Sequence, residues 1–199
     1  MSLIAMQGGA TGTGTVTLLA PVTNTNRTLT LPDVTGTVVS TASTAVVSQA
    51  MLATNVAGNG PAFSAHQSGT PQSIPNSTAT KVQFQSEEFD TNSNFDSTTN
   101  YRFTPTVAGY YQVNTQISFN SFVTTELVVQ IFKNGSAVKR GNRFNAINSP
   151  YLLVTALIYL NGSSDYLEIY AYQASSGAQT LEDLGSRGNY FQAFLARAA

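Results

Sequence analysis

From Lys81 to the end of the chain, apolar positions recur with a period of two. Over Tyr110–Phe119, Tyr111, Val113, Ile117 and Phe119 fall on one face and Gln112, Asn114, Gln116 and Ser118 on the other, the pattern of a half-buried antiparallel strand. Leu127–Phe132 is a second strand, closed by Lys133-Asn134-Gly135-Ser136, and Asn-Gly is the strongest short-range signal of a tight hairpin. Tyr151–Leu160 is apolar on both faces, which predicts two covers: its own sandwich on one side and something else, such as a neighbouring subunit, on the other. The run Tyr166–Tyr172 alternates Leu167, Ile169 and Ala171 against Tyr166, Glu168, Tyr170 and Tyr172, and a closing strand is predicted at Tyr190–Leu195. Strands at short spacing, separated by Gly and Asn turns, predict an all-β antiparallel jelly-roll β-sandwich.

Upstream the pattern changes. Within residues 13–40, Thr15-Val16-Thr17-Leu18, Thr28-Leu29-Thr30-Leu31 and Thr37-Val38-Val39 alternate between turn signals at Pro21, Asn24, Pro32 and Gly36. Each stretch buries about two side chains, too few for an isolated sheet in water. The segment therefore reads as a β-rich stem that needs partner chains, in the manner of a three-chain prism. Residues 41–53 carry the signals of a short helical neck: hydroxyl caps at Ser40, Thr41 or Ser43, then Ala42, Ala45, Val46, Ala50 and Leu52 at roughly helical spacing. Asn55–Pro61 is turn chemistry, and residues 64–80, with Pro71 and Pro75 among small polar residues, predict a surface loop or irregular edge. The expected divisions are a flexible arm or anchor at 1–12, a trimeric stem and neck at 13–59, and the jelly-roll head at 60–199.

Charge sharpens that boundary. The first 80 residues hold only Arg27 and Asp33 as charged side chains, and 17 of the chain's 19 charges lie beyond them. With 9 Lys and Arg against 10 Asp and Glu, the net charge of -1 gives no pull toward nucleic-acid phosphates or anionic membranes. Ser, Thr and Asn supply 62 of 199 residues, so a neutral, hydroxyl-rich surface replaces the usual charged one. The 11 Phe and 9 Tyr are enough for a packed core. Having no cysteine, the chain has neither disulfides nor a thiolate nucleophile, and stability must come from packing or subunit association. No stretch reads as a signal peptide or membrane span, which predicts synthesis in a cytoplasm without membrane insertion.

The candidate chemistry is sparse. His66 is the single histidine, read here in a Pro- and Gly-flanked loop, and one histidine does not provide both a base and a metal pair. Glu87 and Glu88 are adjacent, which on a strand points them to opposite faces and defeats a two-carboxylate hydrolase. Asp90, Asp96 and Asp165, with neighbouring Asn, offer oxygen ligands to a hard cation, yet no loop has the alternating acidic spacing of a dedicated calcium site. No catalytic residue and no cofactor are expected, with calcium the one metal left open. Tyr110, Tyr151, Tyr159, Tyr166, Tyr170 and Tyr172 sit on predicted strands, where they bury area while their hydroxyls stay wet or bonded, as subunit interfaces and carbohydrate-binding faces both require. Tyr110, Tyr111, Tyr151, Leu153, Leu157, Tyr159, Phe191 and Phe194 are the residues assigned to a trimer interface or the core.

The segment from Pro61 onward resembles the globular head of complement component 1q, the trimeric jelly-roll family related to tumour necrosis factor. The resemblance runs through Pro61-Ala62-Phe63-Ser64-Ala65, Val82-Gln83-Phe84, Phe95-Asp96 and Tyr101-Arg102-Phe103-Thr104-Pro105. It continues in Val107-Ala108-Gly109-Tyr110-Tyr111, Lys133-Asn134-Gly135, Leu160 with Asp165, and Phe191-Gln192-Ala193-Phe194-Leu195. It implies a trimeric jelly roll but no complement role, since there is no collagen-like stem and Ala193 stands where that family usually has Gly. Separately, Gly14-Thr15-Val16-Thr17-Leu18-Leu19-Ala20-Pro21, Arg27-Thr28-Leu29-Thr30-Leu31-Pro32 and Thr35-Gly36-Thr37-Val38-Val39 are similar to a stem motif of tail-fibre and other virion proteins of tailed bacteriophages.

Together these imply a homotrimeric virion structural protein: a tail fibre, spike or head fibre anchored to other virion proteins through its N-terminal segment. Its head is expected to bind the host surface, with a host cell-surface glycan as the expected ligand, or to decorate the particle. The alternatives are a non-viral bacterial surface or spore-coat trimeric adhesin and, more remotely, a glycan hydrolase.

Overall fold

The computed structural model describes residues 58–69, 71–120, 126–145 and 151–199, with Asn24. The arm and, apart from Asn24 and residues 58–59, the expected stem and neck lie outside the described residues. In chain order the strands are β1 (Ala62–His66), β2 (Ser73–Ile74), β3 (Thr80–Lys81), β4 (Ser86–Asp90), β5 (Phe95–Asp96), β6 (Arg102–Phe103), β7 (Ala108–Ser118), β8 (Glu126–Lys133), β9 (Ser136–Phe144), β10 (Tyr151–Asn161), β11 (Leu167–Ala174), β12 (Gln179–Thr180) and β13 (Tyr190–Ala198). A five-stranded antiparallel sheet has the order β10-β7-β13-β1-β4, and a second runs β5-β6-β11-β8-β9, with β3 also paired to β11. The two sheets stack as a jelly-roll sandwich.

Period-two alternation supplies the core. β7 turns Tyr111, Val113 and Ile117 inward, and β10, in register with it, turns Leu152, Val154, Ile158 and Leu160 the same way. β8 and β11 close the other side with Leu127, Val129, Ile131, Leu167, Ile169 and Ala171. At the centre Phe63 stacks on Phe95 and Phe103 at 4.7 and 4.6 Å and meets Phe191 edge-on at 4.9 Å. Aromatic pairs in these orientations add to the stabilisation from buried area alone. Tyr111 is fully buried, donates its hydroxyl hydrogen to the Val107 carbonyl at 2.8 Å, and burial pushes its phenol up to about 12.

The expected loop over 64–80 requires correction at its start. Ser64–His66 belong to β1, which lies between β13 and β4, so His66 is a strand residue opposite Tyr190 and Ser86. Pairing with two neighbouring strands, rather than local propensity, holds it extended. Beyond it the described residues form the irregular edge expected of a proline-bearing segment, with the two-residue strands β2 and β3 within it.

Two loops lock together at one end of the sandwich. Asn134 and Gly135 take φ of 52° and 77°, the double positive φ of a tight hairpin turn between β8 and β9. The Asn134 side chain donates to Asp165 at 2.7 Å and accepts from the Tyr166 amide at 2.9 Å. Asp165 also pairs with Lys133 at 2.8 Å and accepts from the Asn161 amide at 3.0 Å. Lys133, followed by the Asn134 and Asn161 donors, holds this carboxyl below the usual carboxylate range against the opposing effect of burial.

Gly141 marks the place where β9 and β10, edge strands of different sheets, meet. Asn142 accepts from the Leu153 amide at 2.7 Å, and a Cβ on Gly141 would overlap the Leu153 carbonyl and approach a Val129 methyl at 2.7 Å. Gly141→Ala is expected to lower stability by about 1–3 kcal/mol through overpacking, read as a lower urea midpoint.

Asp165→Asn should cost about 1–3 kcal/mol at pH 7 by removing a paired carboxylate. Because the folded carboxyl titrates below its unfolded value of about 3.9, the stabilisation is complete above that pH and is lost as pH falls through the folded value. Urea titrations at pH 7 and pH 3 should show the gap between the parent chain and Asp165→Asn narrowing on the acid side.

Candidate functional site

The face of the five-stranded sheet turned away from the core is the candidate site. On β10 the residues between the buried ones are Tyr151, Leu153, Thr155, Leu157 and Tyr159, all exposed. Leu153 and Leu157 are 48% and 55% exposed, high values for leucines in the middle of a long strand. Register places Tyr110 opposite Tyr159, Gln112 opposite Leu157, Asn114 opposite Thr155 and Gln116 opposite Leu153. The Tyr110 and Tyr159 rings lie 5.5 Å apart. On the next strand Phe194, opposite Gln112, is 48% exposed, and on the far edge Phe89, opposite Ser64, is 51% exposed. Clustered exposed apolar side chains of this kind mark interaction surfaces.

A polar row crosses the middle of this face. Gln112 donates to the Thr155 hydroxyl, which donates to Asn114 Oδ1, each at 2.7 Å. Further along, Gln192 donates to the Ser64 hydroxyl at 3.1 Å, and Ser64 donates to Glu88 at 2.6 Å. The row reaches from β10 to β4 with its partners already made, so covering it strands few polar groups.

Toward the C-terminal end the face deepens into a cavity of about 470 Å³ lined by Tyr110, Leu157, Ala196, Arg197, Ala198 and Ala199. It opens where β13 shifts register between Leu195 and Arg197. Such bulges re-aim side chains at sheet edges.

The residues assigned to interface or core separate cleanly. Tyr110, Tyr151, Leu153, Leu157, Tyr159 and Phe194 lie on the outer face, whereas Tyr111 and Phe191 are buried in the core. The tyrosines do not form one stripe. Tyr166, Tyr170 and Tyr172 belong to the other sheet's side of the molecule, where Tyr170 stacks on Phe132 at 3.9 Å and Arg102 lies 4.4 Å over the Tyr166 ring. Strand alternation identifies an outward residue but not which sheet carries it. The polar row and the cavity escaped sequence reasoning because each is assembled from several strands.

Glu87 and Glu88 are both exposed on β4, where the pairing with β1 shifts register between Ser64 and Ala65. His66 Nδ1 is buried without a hydrogen-bond partner, so among the described residues no carboxylate holds that nitrogen. The carboxylates considered for a cation serve their own loops. Asp90 accepts the Asn92 and Phe95 amides. Asp96 accepts the Thr98, Thr99 and Asn100 amides, and these bonds, led by that from Thr99, hold its carboxyl far below the usual range. Among the described residues no three His, Asp or Glu side chains converge on a point that would hold a metal.

The fold is that of the complement component 1q and tumour necrosis factor domains. The globular domain of zebrafish complement 1qA superposes with a TM-score of 0.53 at 19% identity, covering 70% of this chain and 99% of that one. Eiger, a tumour necrosis factor from S. frugiperda, gives 0.54 at 10% identity, covering 69% and 93%. Murine APRIL gives 0.52 at 14% identity, covering 67% and 96%. No protein-family model and no curated protein matches the chain.

Strand parity makes a sharp test of the two faces. Leu157→Asp should leave the far-ultraviolet dichroism of a β-sandwich intact, because that side chain is half exposed in the single chain. Ile158→Asp, its inward neighbour, should abolish folding, since burying an unpaired carboxylate costs several kcal/mol.

Proposed function

We propose that this chain is the homotrimeric subunit of a virion appendage, assembled through the outer face of the five-stranded sheet. Its jelly-roll head contacts the host surface or decorates the particle. The observation that carries the reading is that face: aromatic and leucine side chains held half exposed on long paired strands, with the polar groups between them already hydrogen-bonded. The resemblance of Pro61 onward to complement component 1q heads supports three as the number of chains. The resemblance of residues 14–39 to phage stem segments supports attachment to other virion proteins at the N-terminal end, with the virion as the location.

The proposed role is assembly and binding, not catalysis. A head rich in Ser, Thr, Asn and Gln with exposed Tyr offers hydroxyl and amide partners to sugars and flat rings to pyranose faces. A net charge of -1 provides no long-range attraction for a polyanion.

Sedimentation of the whole chain at micromolar concentration should give three chains per particle. Leu157→Asp should give single chains of native dichroism, and a stable monomer of the parent chain would sink the reading. Antibody labelling of purified particles should place the protein on the virion.

Binding to host-envelope glycans should change little from low salt to a few hundred millimolar. A loss of about ten-fold or more over that range would instead indicate an anionic ligand, because each neutralised charge adds to the salt slope.

A further inference from the structure

The tyrosines of the second sheet make a surface of their own. On β11, Leu167, Ile169, Ala171 and Gln173 are buried and point into the sandwich, so Tyr170 and Tyr172 point out, with Tyr166 just ahead of the strand. Register with β8 sets Gln130 opposite Tyr170 and Val128 opposite Tyr172, and the Phe132 ring stacks on that of Tyr170 at 3.9 Å. Phe132, Tyr166, Tyr170 and Tyr172 are half-buried, so part of each ring reaches solvent. Val128, which lies between Tyr172 and Arg143 in register, is fully buried.

The chemistry of this face differs from that of the first sheet. There the exposed side chains include Leu153 and Leu157; here the aliphatic Val128 is covered, and what remains is aromatic and polar. The ionic groups are occupied with one another. Lys81 pairs with Glu168 at 3.0 Å, and Arg140 and Arg143 reach Glu126 at 3.3 and 3.1 Å. Arg102 lies 4.4 Å over the Tyr166 ring. Each of these four cations already has a carboxylate or a ring, and an anionic ligand would meet Glu126 and Glu168 beside them. An uncharged ligand meets no such opposition. A pyranose has a face of C–H groups, which suits an aromatic ring, and a rim of hydroxyls, which suits amide, phenol and guanidinium groups.

We infer that the outer face of β8 and β11 is the glycan-binding surface of the head, and that its ligand is an uncharged pyranose chain stacked on Tyr172 and the Phe132–Tyr170 pair, with Gln130 and Arg102 donating to its hydroxyls. This rests on the reading of the head as a binder of host glycan, and it gives that binding a place. The outer face of the first sheet is occupied in the proposed association; the outer face of the second is left for the ligand.

The chain has nine tyrosines and no tryptophan, so its ultraviolet emission reports tyrosine surroundings directly. The full-length chain is titrated with neutral oligosaccharides of glucose, galactose, mannose and N-acetylglucosamine, and with polygalacturonate as the acidic counterpart, at low salt and at a few hundred millimolar. Saturable binding of a neutral oligosaccharide, nearly independent of salt, is expected. Tyr172→Ala should weaken it by about ten-fold while sedimenting as the parent chain does. Tyr172→Phe keeps the ring and should lose about three-fold or less.

A neutral oligosaccharide bound equally well by the parent chain, Tyr172→Ala and Gln130→Ala overturns the placement on this face and leaves glycan binding standing. Should Tyr172→Ala lose its β-sheet dichroism, Gln130→Ala and Tyr172→Phe decide the placement: parent-like affinity in both overturns it. No binding to any of the neutral oligosaccharides overturns the glycan reading together with this site. Binding to polygalacturonate alone, lost as salt rises, overturns the uncharged class of ligand.

Discussion

The structure turns on the need to cover one sheet twice. β7 and β10, each 11 residues long and paired along their whole length, put large side chains on both faces. The second sheet buries the inner set, with Ala156 partly covered. The outer set, from Tyr151 through Tyr159 with Tyr110 and Phe194, has no such cover among the described residues. A pleated strand projects alternate residues to opposite sides, so its length fixes how much apolar surface the outer face carries. That surface makes the outer face an apolar platform rather than part of the core. The hydrogen bonds among Gln112, Thr155 and Asn114 satisfy the polar groups of the platform from within, so its apolar side chains can be covered without stranding them.

The scarcity of charge gives each ionic contact a definite place. Lys81–Glu168 and Lys133–Asp165 both tie segments distant in sequence to β11 or its approach. The second joins the Asn134–Gly135 hairpin to the loop after β10, so the strand that builds the outer platform is fixed at its end by the turn of the other sheet. The backbone of the loop is satisfied by the same side chains: Asn161 accepts the Ser163, Ser164 and Asp165 amides while Asp165 accepts the Asn161 amide. A reciprocal closure of this kind keeps the β10–β11 connection short and β10 in register with β7.

The long elements were legible because alternation is a local property. β7, β8 and β11 follow from it directly, as does the Asn134–Gly135 turn, whose positive φ values are written in the residue types. β1 was hidden for the converse reason. Ala62–His66 has little strand propensity of its own and is held by β13 and β4, which lie far from it in sequence. The tyrosines show a subtler limit. Alternation separates Tyr110 from Tyr111, but it does not reveal that Tyr170 and Tyr172 face outward on the opposite layer, since sheet membership is decided by topology. The cavity beside Arg197 depends on a register shift in β13 with no residue-level signature, and no sequence pattern points to it.

Edge strands impose the final constraint. β4 and β10 end the first sheet, and an open edge offers unpaired backbone groups to any extended chain. The two edges are protected differently. β10 is flanked by β9, whose Asn142 takes the Leu153 amide, so part of its free hydrogen-bonding row is already occupied. β4 is short, carries a register shift against β1 and bears Glu87 and Glu88, each a known deterrent to indiscriminate strand addition. Neither edge therefore invites continuation of the sheet, and the apolar residues beside them stand on its face. In the proposed association those residues pack side chain against side chain and leave the backbone ladder of the sheet unextended.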